Sequence, residues 1–262
     1  MRPKQLALAW AVLLALPASA GAQGGPVSVF AAASLKDAFT EAGAILARRR
    51  PGFAARFNFA GSQQLVLQIV EGAEADVFAA ADQRSMGAVA GKGLTDGAPV
   101  IFARNRLVVI TPRAAPGRVD RLQDLARPGL KLVLAAEVVP VGRYSREMLR
   151  KLSSAGGFGA DFAARVQRNV VSEEENVKAV VAKVQLGEAD AGIAYVSDVT
   201  PAVRGAVRVI PIPDAYNVIA DYPIAVITGS RHRDDARAFV DFMLSAEGQR
   251  LIERNGLLGA AP

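Results

Sequence analysis

"VSVFAAASLKDAF", Val27 to Phe39, decides the fold. An apolar, strand-like run ends in three alanines, meets Ser34, and turns into helix periodicity. "FNFAGSQQLVLQIV", Phe57 to Val70, repeats the transition around Gly61 and Ser62. In "VVPVGRYSREML", Val138 to Leu149, Pro140 and Gly142 stand where a strand ends and a helix begins. "SEEENVKAVV", Ser172 to Val181, is a fourth junction, capped either by Ser172 with Glu175 or by Asn176 just before Val177.

Ser34 and Asp37 form an S-x-x-D pattern, so the local reading is a capping box on the first helix, and Ser62 reads alike. Repetition points further. In open α/β sheets ligands bind outside the carboxyl ends of the strands. Helix N-termini there aim unpaired N–H groups at the ligand, and small residues leave the backbone bare for an anion. The junctions offer hydroxyls and amides; Arg143 is the one cation among them, with its direction left open. Neutral donors suit a fully ionised tetrahedral oxyanion. An anion carrying its own proton would need an acceptor such as Asp.

Outward from these junctions, strands and helices alternate, which predicts mainly parallel sheets with both faces covered. Helices are expected at 34–48, 62–71, 86–90, 144–152, 177–186, 234–244 and 246–254. In the first, Leu35, Ala38, Phe39, Ala42, Ile45 and Leu46 share a face; in 234–244, Ala236, Phe239, Val240, Met243 and Leu244 do. Strands are expected to end at Phe59 and to fall on "DVFAAAD", "KLVLAA", "VQRNVV", "AGIAYV" and "VRVIPIP". "VIFARNRLVVI" (Val100 to Ile110) and "YPIAVI" (Tyr222 to Ile227) read as chain crossings between two lobes. Lobe 1 would comprise residues 23–104 and 223–262, and lobe 2 residues 105–222.

Composition narrows the function classes. Of 262 residues, 51% are hydrophobic and 21% charged, which is globular and core-forming. There is no cysteine, which excludes disulfides, thiolate metal sites and a lipid-anchored N-terminus. Arg2 and Lys4 precede an apolar run from Leu6 to Leu16, Pro17 and A-x-A sites ending at Ala20 or Ala22. This is a secretory signal peptide over residues 1–22, too short to span a bilayer. Without Arg2 and Lys4, 29 basic residues face 25 acidic ones, and they form no stripe interleaved with aromatics, so no nucleic-acid partner is expected.

Enzymatic readings lack their residues. His232 is the only histidine and sits in a charged loop, where a solvated role is expected. No G-x-S-x-G, P-loop or Rossmann fingerprint is present, and Glu173, Glu174 and Glu175 read as dipole-stabilising acids of a first helical turn rather than metal ligands.

At these residues the chain resembles the periplasmic molybdate-binding proteins of ABC importers. "VFAAASL", "FAGSQQL", "DVFAAAD", "VPVGRYSREML", "AGIAYVSDV" and "YPIAVI" fall in that family's order and spacing over essentially the whole mature sequence. The resemblance implies a type II periplasmic binding protein fold, two α/β lobes closing on a ligand in the cleft. It implies molybdate or tungstate held without a charged side chain or any cofactor. Donors would be Ser34 and Ser62 by hydroxyl and amide, Val141 and Val177 by backbone amide, and Tyr195 by hydroxyl. It further implies a monomer that hands the anion to a membrane permease. The rival expectations are a binding protein for another oxyanion, such as sulfate, or an enzyme or sensor domain on the same fold.

Overall fold

The computed structural model describes residues 25–114 and 118–260; the leader read at 1–22 lies outside the described residues. The chain opens with β1 (Val27–Ala32), a 3-10 turn (Ala33–Leu35), α1 (Lys36–Arg49), β2 (Ala55–Ala60), α2 (Ser62–Val70), β3 (Val77–Ala79) and α3 (Gln83–Ala90). The long β4 (Val100–Pro112) leads to β5 (Leu132–Ala135), α4 (Pro140–Ser153), α5 (Phe162–Arg168), β6 (Val170–Glu174), α6 (Val177–Gln185) and β7 (Ala191–Tyr195). A short α7 (Pro201–Arg204), β8 (Val207–Pro211), β9 (Ile219–Val226), α8 (Arg233–Leu244), α9 (Ala246–Arg254) and β10 (Leu258–Gly259) complete it.

The strands run in the order β2-β1-β3-β9-β4-β7-β5-β6, with β8 and β10 also on β4. β1 is parallel to β2 and β3, and β5 is parallel to β6 and β7. Between these parallel sets run the crossing strands. β4 pairs antiparallel with β9 from Val100 to Arg106, then with β7 from Leu107 to Ile110. One continuous strand therefore belongs to both halves, because an apolar β-rich run of thirteen residues carries no turn signal to interrupt it.

Helices cover both faces. Phe39 of α1 meets Phe239 of α8 at 5.2 Å between ring centroids and Phe102 of β4 at 5.6 Å. Burying such a ring contributes about 1.5–3 kcal/mol. On the opposite face, Leu65 and Ile69 of α2 and Met86 and Val89 of α3 pack on Phe30 and Phe78. The predicted inward face of α1 is buried throughout. That of α8 is rotated: Phe242 is buried and Leu244 is exposed, since the larger ring takes the core position.

Other local expectations change too. Val166 to Arg168 lie in α5, not in a strand, and the strand starts at Val170. α4 begins at Pro140, four residues ahead of the expected start at Tyr144, because proline is well placed at the first helical position.

His232 is not solvated. Its Nδ1 lies 3.2 Å from Asp76 Oδ2, and Asp76 also accepts from Ser28 N–H at 2.7 Å and Ser230 O–H at 2.6 Å. Burial pushes the Asp76 carboxyl up, but hydrogen bonds from Ser230, Ser28 and His232 outweigh it and leave the group below its ordinary value. Its folded value lies below the unfolded one, so the stabilisation holds above the ordinary carboxylate pKa of about 4 and is lost as pH falls through the folded value. Thermal melts against pH should show Asp76→Asn less stable than the parent at neutral pH, with the gap closing in acid. A constant gap would mean that ionisation of Asp76 contributes nothing.

Candidate functional site

The ends of β1, β2 and β7 and the starts of α2, α4 and α6 meet at one small cavity. Its lining includes Ser34, Ser62, Val141, Val177 and Tyr195, so the structure brings all five sequence-predicted residues together. The remaining lining is Ala32, Ala33, Ala60, Gly61, Ala81, Val139, Pro140 and Asn176, with no charged residue. The cavity offers about 20 Å³ to the centre of a water-sized sphere.

The helix starts are built so that amides face inward. Gly61 caps α2, and the first backbone bond of that helix is Gln64 N–H to Gly61 O at 2.9 Å, which leaves the Ser62 amide ahead of the ladder. In α4 the first bond is Arg143 N–H to Val139 O at 3.0 Å, so Val141 and Gly142 lie in the open turn. Arg146 pins that turn to the strand end by donating to Ala135 O and Gly142 O, each at 2.9 Å. The approach is close: a Cβ on Gly142 would lie 2.1 Å from Ala136 O. In α6 the cap is Asn176, whose Oδ1 accepts from Ala179 N–H at 3.1 Å, and Val177 opens the helix.

The hydroxyls differ from the capping roles that their spacing predicts. Ser34 lies inside the 3-10 turn, and the α1 cap position, Leu35, makes no side-chain cap. Its Oγ instead meets Tyr222 OH at 2.9 Å, 188 residues away in sequence. Ser62 is the first residue of α2 rather than its cap, and its Oγ accepts from Ala81 N–H at 3.0 Å. That bond can run in one direction only, so the Ser62 proton is free to point elsewhere. Tyr195 OH is buried without a hydrogen-bond partner. Burial, with the neighbouring Tyr222 and Tyr144 hydroxyls, pushes it well above its ordinary value, so it remains an O–H donor.

Charged groups stand outside the lining and tie its walls together. Arg143 turns to Asp82 at 2.5 Å, and its guanidinium lies 5.0 Å from the Tyr144 ring centroid. Burial is the leading cause that raises the Tyr144 hydroxyl to about 12. Glu175 accepts from Gln63 Nε2 through its backbone oxygen at 2.9 Å and from Gln64 Nε2 through its carboxylate at 3.0 Å. Lys178 reaches Asp37 at 3.4 Å and the buried Asp198 at 3.2 Å.

The three glutamates are not in a first helical turn. Glu173 and Glu174 lie on β6, where Glu173 pairs with Arg146 and Glu174 with Lys183. Among the described residues no group of His, Cys, Asp or Glu could hold a metal ion. Tyr222 and Asn105, behind Ser34, were missed as site neighbours; "YPIAVI" marks a strand but says nothing of where the tyrosine hydroxyl goes.

Converging donors in a closed, charge-free pocket between two sheet halves define a binding protein rather than an enzyme. The chain belongs to the bacterial extracellular solute-binding proteins, whose family model matches residues 27–258. It is 38% identical over 230 residues to the molybdate-binding protein of Mycobacterium tuberculosis, covering 88% of this chain and 83% of that one. The periplasmic molybdate-binding protein of Azotobacter vinelandii superposes with a TM-score of 0.78 at 21% identity, covering 90% of this chain and 100% of that one. The sulfate-binding protein SubI of Mycobacterium tuberculosis superposes with a TM-score of 0.80 at 17% identity, over 91% and 88%. These two likenesses speak to the fold, a shared two-lobed α/β architecture.

Proposed function

We propose that this protein captures molybdate, and tungstate equally well, in the periplasm and delivers it to the membrane permease of an ABC importer. The observation that carries the reading is the pocket in which three hydroxyls and the first-turn amides of α2, α4 and α6 converge without a charged side chain. The 38% identity to a molybdate-binding protein supports it. So does the cavity: a sphere of about 20 Å³ has a radius comparable with a metal–oxygen bond, the space that the four oxygen centres of such an anion need. In this reading Ser34, Ser62 and Tyr195 donate O–H groups, and Val141 and Val177 donate N–H groups.

The lobes in this reading are residues 23–104 with 223–262, and 105–222, turning about β4 and β9. Ser34 and Ser62 then belong to one lobe and Val141, Val177 and Tyr195 to the other, so bound anion favours closure. Small-angle scattering should record a smaller radius of gyration with saturating molybdate, and an unchanged profile would remove the closure from the reading.

Calorimetry with molybdate, tungstate, sulfate and phosphate tests the function itself. Molybdate and tungstate should bind tightly and alike. Sulfate should be much weaker, because a smaller anion cannot reach every donor and leaves some unpaired. Sulfate bound as tightly as molybdate would overturn the assignment.

A further inference from the structure

Behind the pocket, Asn105, Tyr222 and Ser34 form a buried chain whose hydrogen-bond direction can be read from its first member. Asn105 Oδ1 accepts from Arg106 N–H at 3.1 Å, which fixes the amide and turns Nδ2 towards Ser197 Oγ at 2.8 Å and Tyr222 OH at 3.3 Å. An amide nitrogen only donates. Tyr222 therefore accepts from Asn105, and its single proton is left for Ser34 Oγ at 2.9 Å. Ser34 accepts in turn, and its own proton has the pocket as its outlet. Asn105 and Tyr222 are fully buried and Ser34 nearly so, so water cannot reverse the order. The orphaned Tyr195 hydroxyl beside them marks the same pocket as lacking an acceptor.

Resting on the oxyanion reading of the site, we infer that Asn105 and Tyr222 are positioning residues that hold Ser34 as a donor and so exclude oxyanions that carry a proton. For Ser34 to turn its proton back and offer its oxygen freely to a ligand O–H, Tyr222 would have to accept twice and leave its own proton unpaired in the core. An orphaned buried donor is costly. Ser62 is held the same way by the Ala81 amide, so neither serine is free to act as an acceptor.

The test compares molybdate with monohydrogen arsenate at a mildly alkaline pH, where both are dianions and only one carries a proton. The quantity read is the ratio of their dissociation constants. Asn105→Asp puts an acceptor at the head of the chain: Tyr222 then donates to position 105, Ser34 donates to Tyr222, and a serine lone pair faces the pocket. The new carboxylate repels both dianions alike, so the ratio isolates direction from charge. The arsenate-to-molybdate ratio should fall about 100-fold, roughly tenfold for the donor that molybdate loses and roughly tenfold for the acceptor that arsenate gains.

Tyr222→Phe keeps the ring and breaks the chain. It should lower the ratio by a smaller factor, about three- to tenfold, and should abolish any effect of Asn105→Asp made on top of it. If Asn105→Asp does not fold, Tyr222→Phe alone decides. A merely structural role would weaken both anions together and leave the ratio unmoved in either variant; that result overturns the inference. A parent protein that ignores molybdate overturns the reading of the site and this chain with it. A parent that binds molybdate, with unmoved ratios in the variants, overturns the chain alone.

Discussion

Gly61→Ala is expected to weaken molybdate binding at least about 100-fold while changing the stability of the ligand-free protein by no more than about 1 kcal/mol. The backbone there has φ −62° and ψ 138°, which any residue adopts, so alanine brings no local strain. What it meets is the opposite wall. A Cβ at Gly61 would lie 2.5 Å from the backbone oxygen of Glu175 and equally close to the Gln63 amide. The Gln63 side chain can swing away. The Glu175 carbonyl cannot, because it belongs to the backbone that turns into Asn176 and the start of α6. The methyl group therefore props α2 and α6 apart across the cavity and takes at least the Val177 amide and one hydroxyl out of reach together. Each hydrogen bond to a charged group contributes about 1.5–3 kcal/mol, which sets the size of the loss. With the lobes apart there is nothing to clash with. Calorimetry and ligand-free melting should separate the two effects, and parent-like affinity would show that Gly61 and Glu175 do not meet when ligand is bound.

Tyr195→Phe should weaken molybdate about 10- to 100-fold, because it deletes one donor to the anion and nothing else. The ring stays in its packing, 5.8 Å from Tyr222 in an edge-to-face contact. Ligand-free stability should hold or rise slightly, since the hydroxyl lost is one that the protein leaves unpaired. A spectroscopic readout comes with it. The one tryptophan, Trp10, lies in the leader, so mature protein emits from four tyrosines. The emission change on adding molybdate should shrink in the variant. Unchanged molybdate affinity would take this hydroxyl out of the site.

The strand-to-helix junctions were legible because their chemistry is local. Ala32, Gly61, Pro140 and Asn176 each announce a bare or capped helix start within a few residues, and these starts are what the cavity is made of. What could not be read were partners set by chain crossings. Ser34 and Asp37 look like a capping box, yet the hydroxyl goes to Tyr222, brought there by a strand that returns from the other end of the chain. The run of three glutamates looks like a helix start, but β6 alternates its side chains and sends successive acids to Arg146 and Lys183. Arg143 gave no hint of direction because its partner, Asp82, lies at the end of another strand. Pro140 was read as a helix breaker when proline at a first turn is a starter, which cost four residues of α4.

The use of main-chain amides at Val141 and Val177 bears on how such a protein diverges. Both side chains are buried in apolar packing, at 2% and 4% exposure, and a codon change there alters the wall but not the donor. Selection at these two positions acts on volume and hydrophobicity, while the group that touches the ligand is carried by every amino acid except proline. Ligand preference can thus persist through extensive drift, and comparing side chains at equivalent positions would register change where the chemistry has stayed the same.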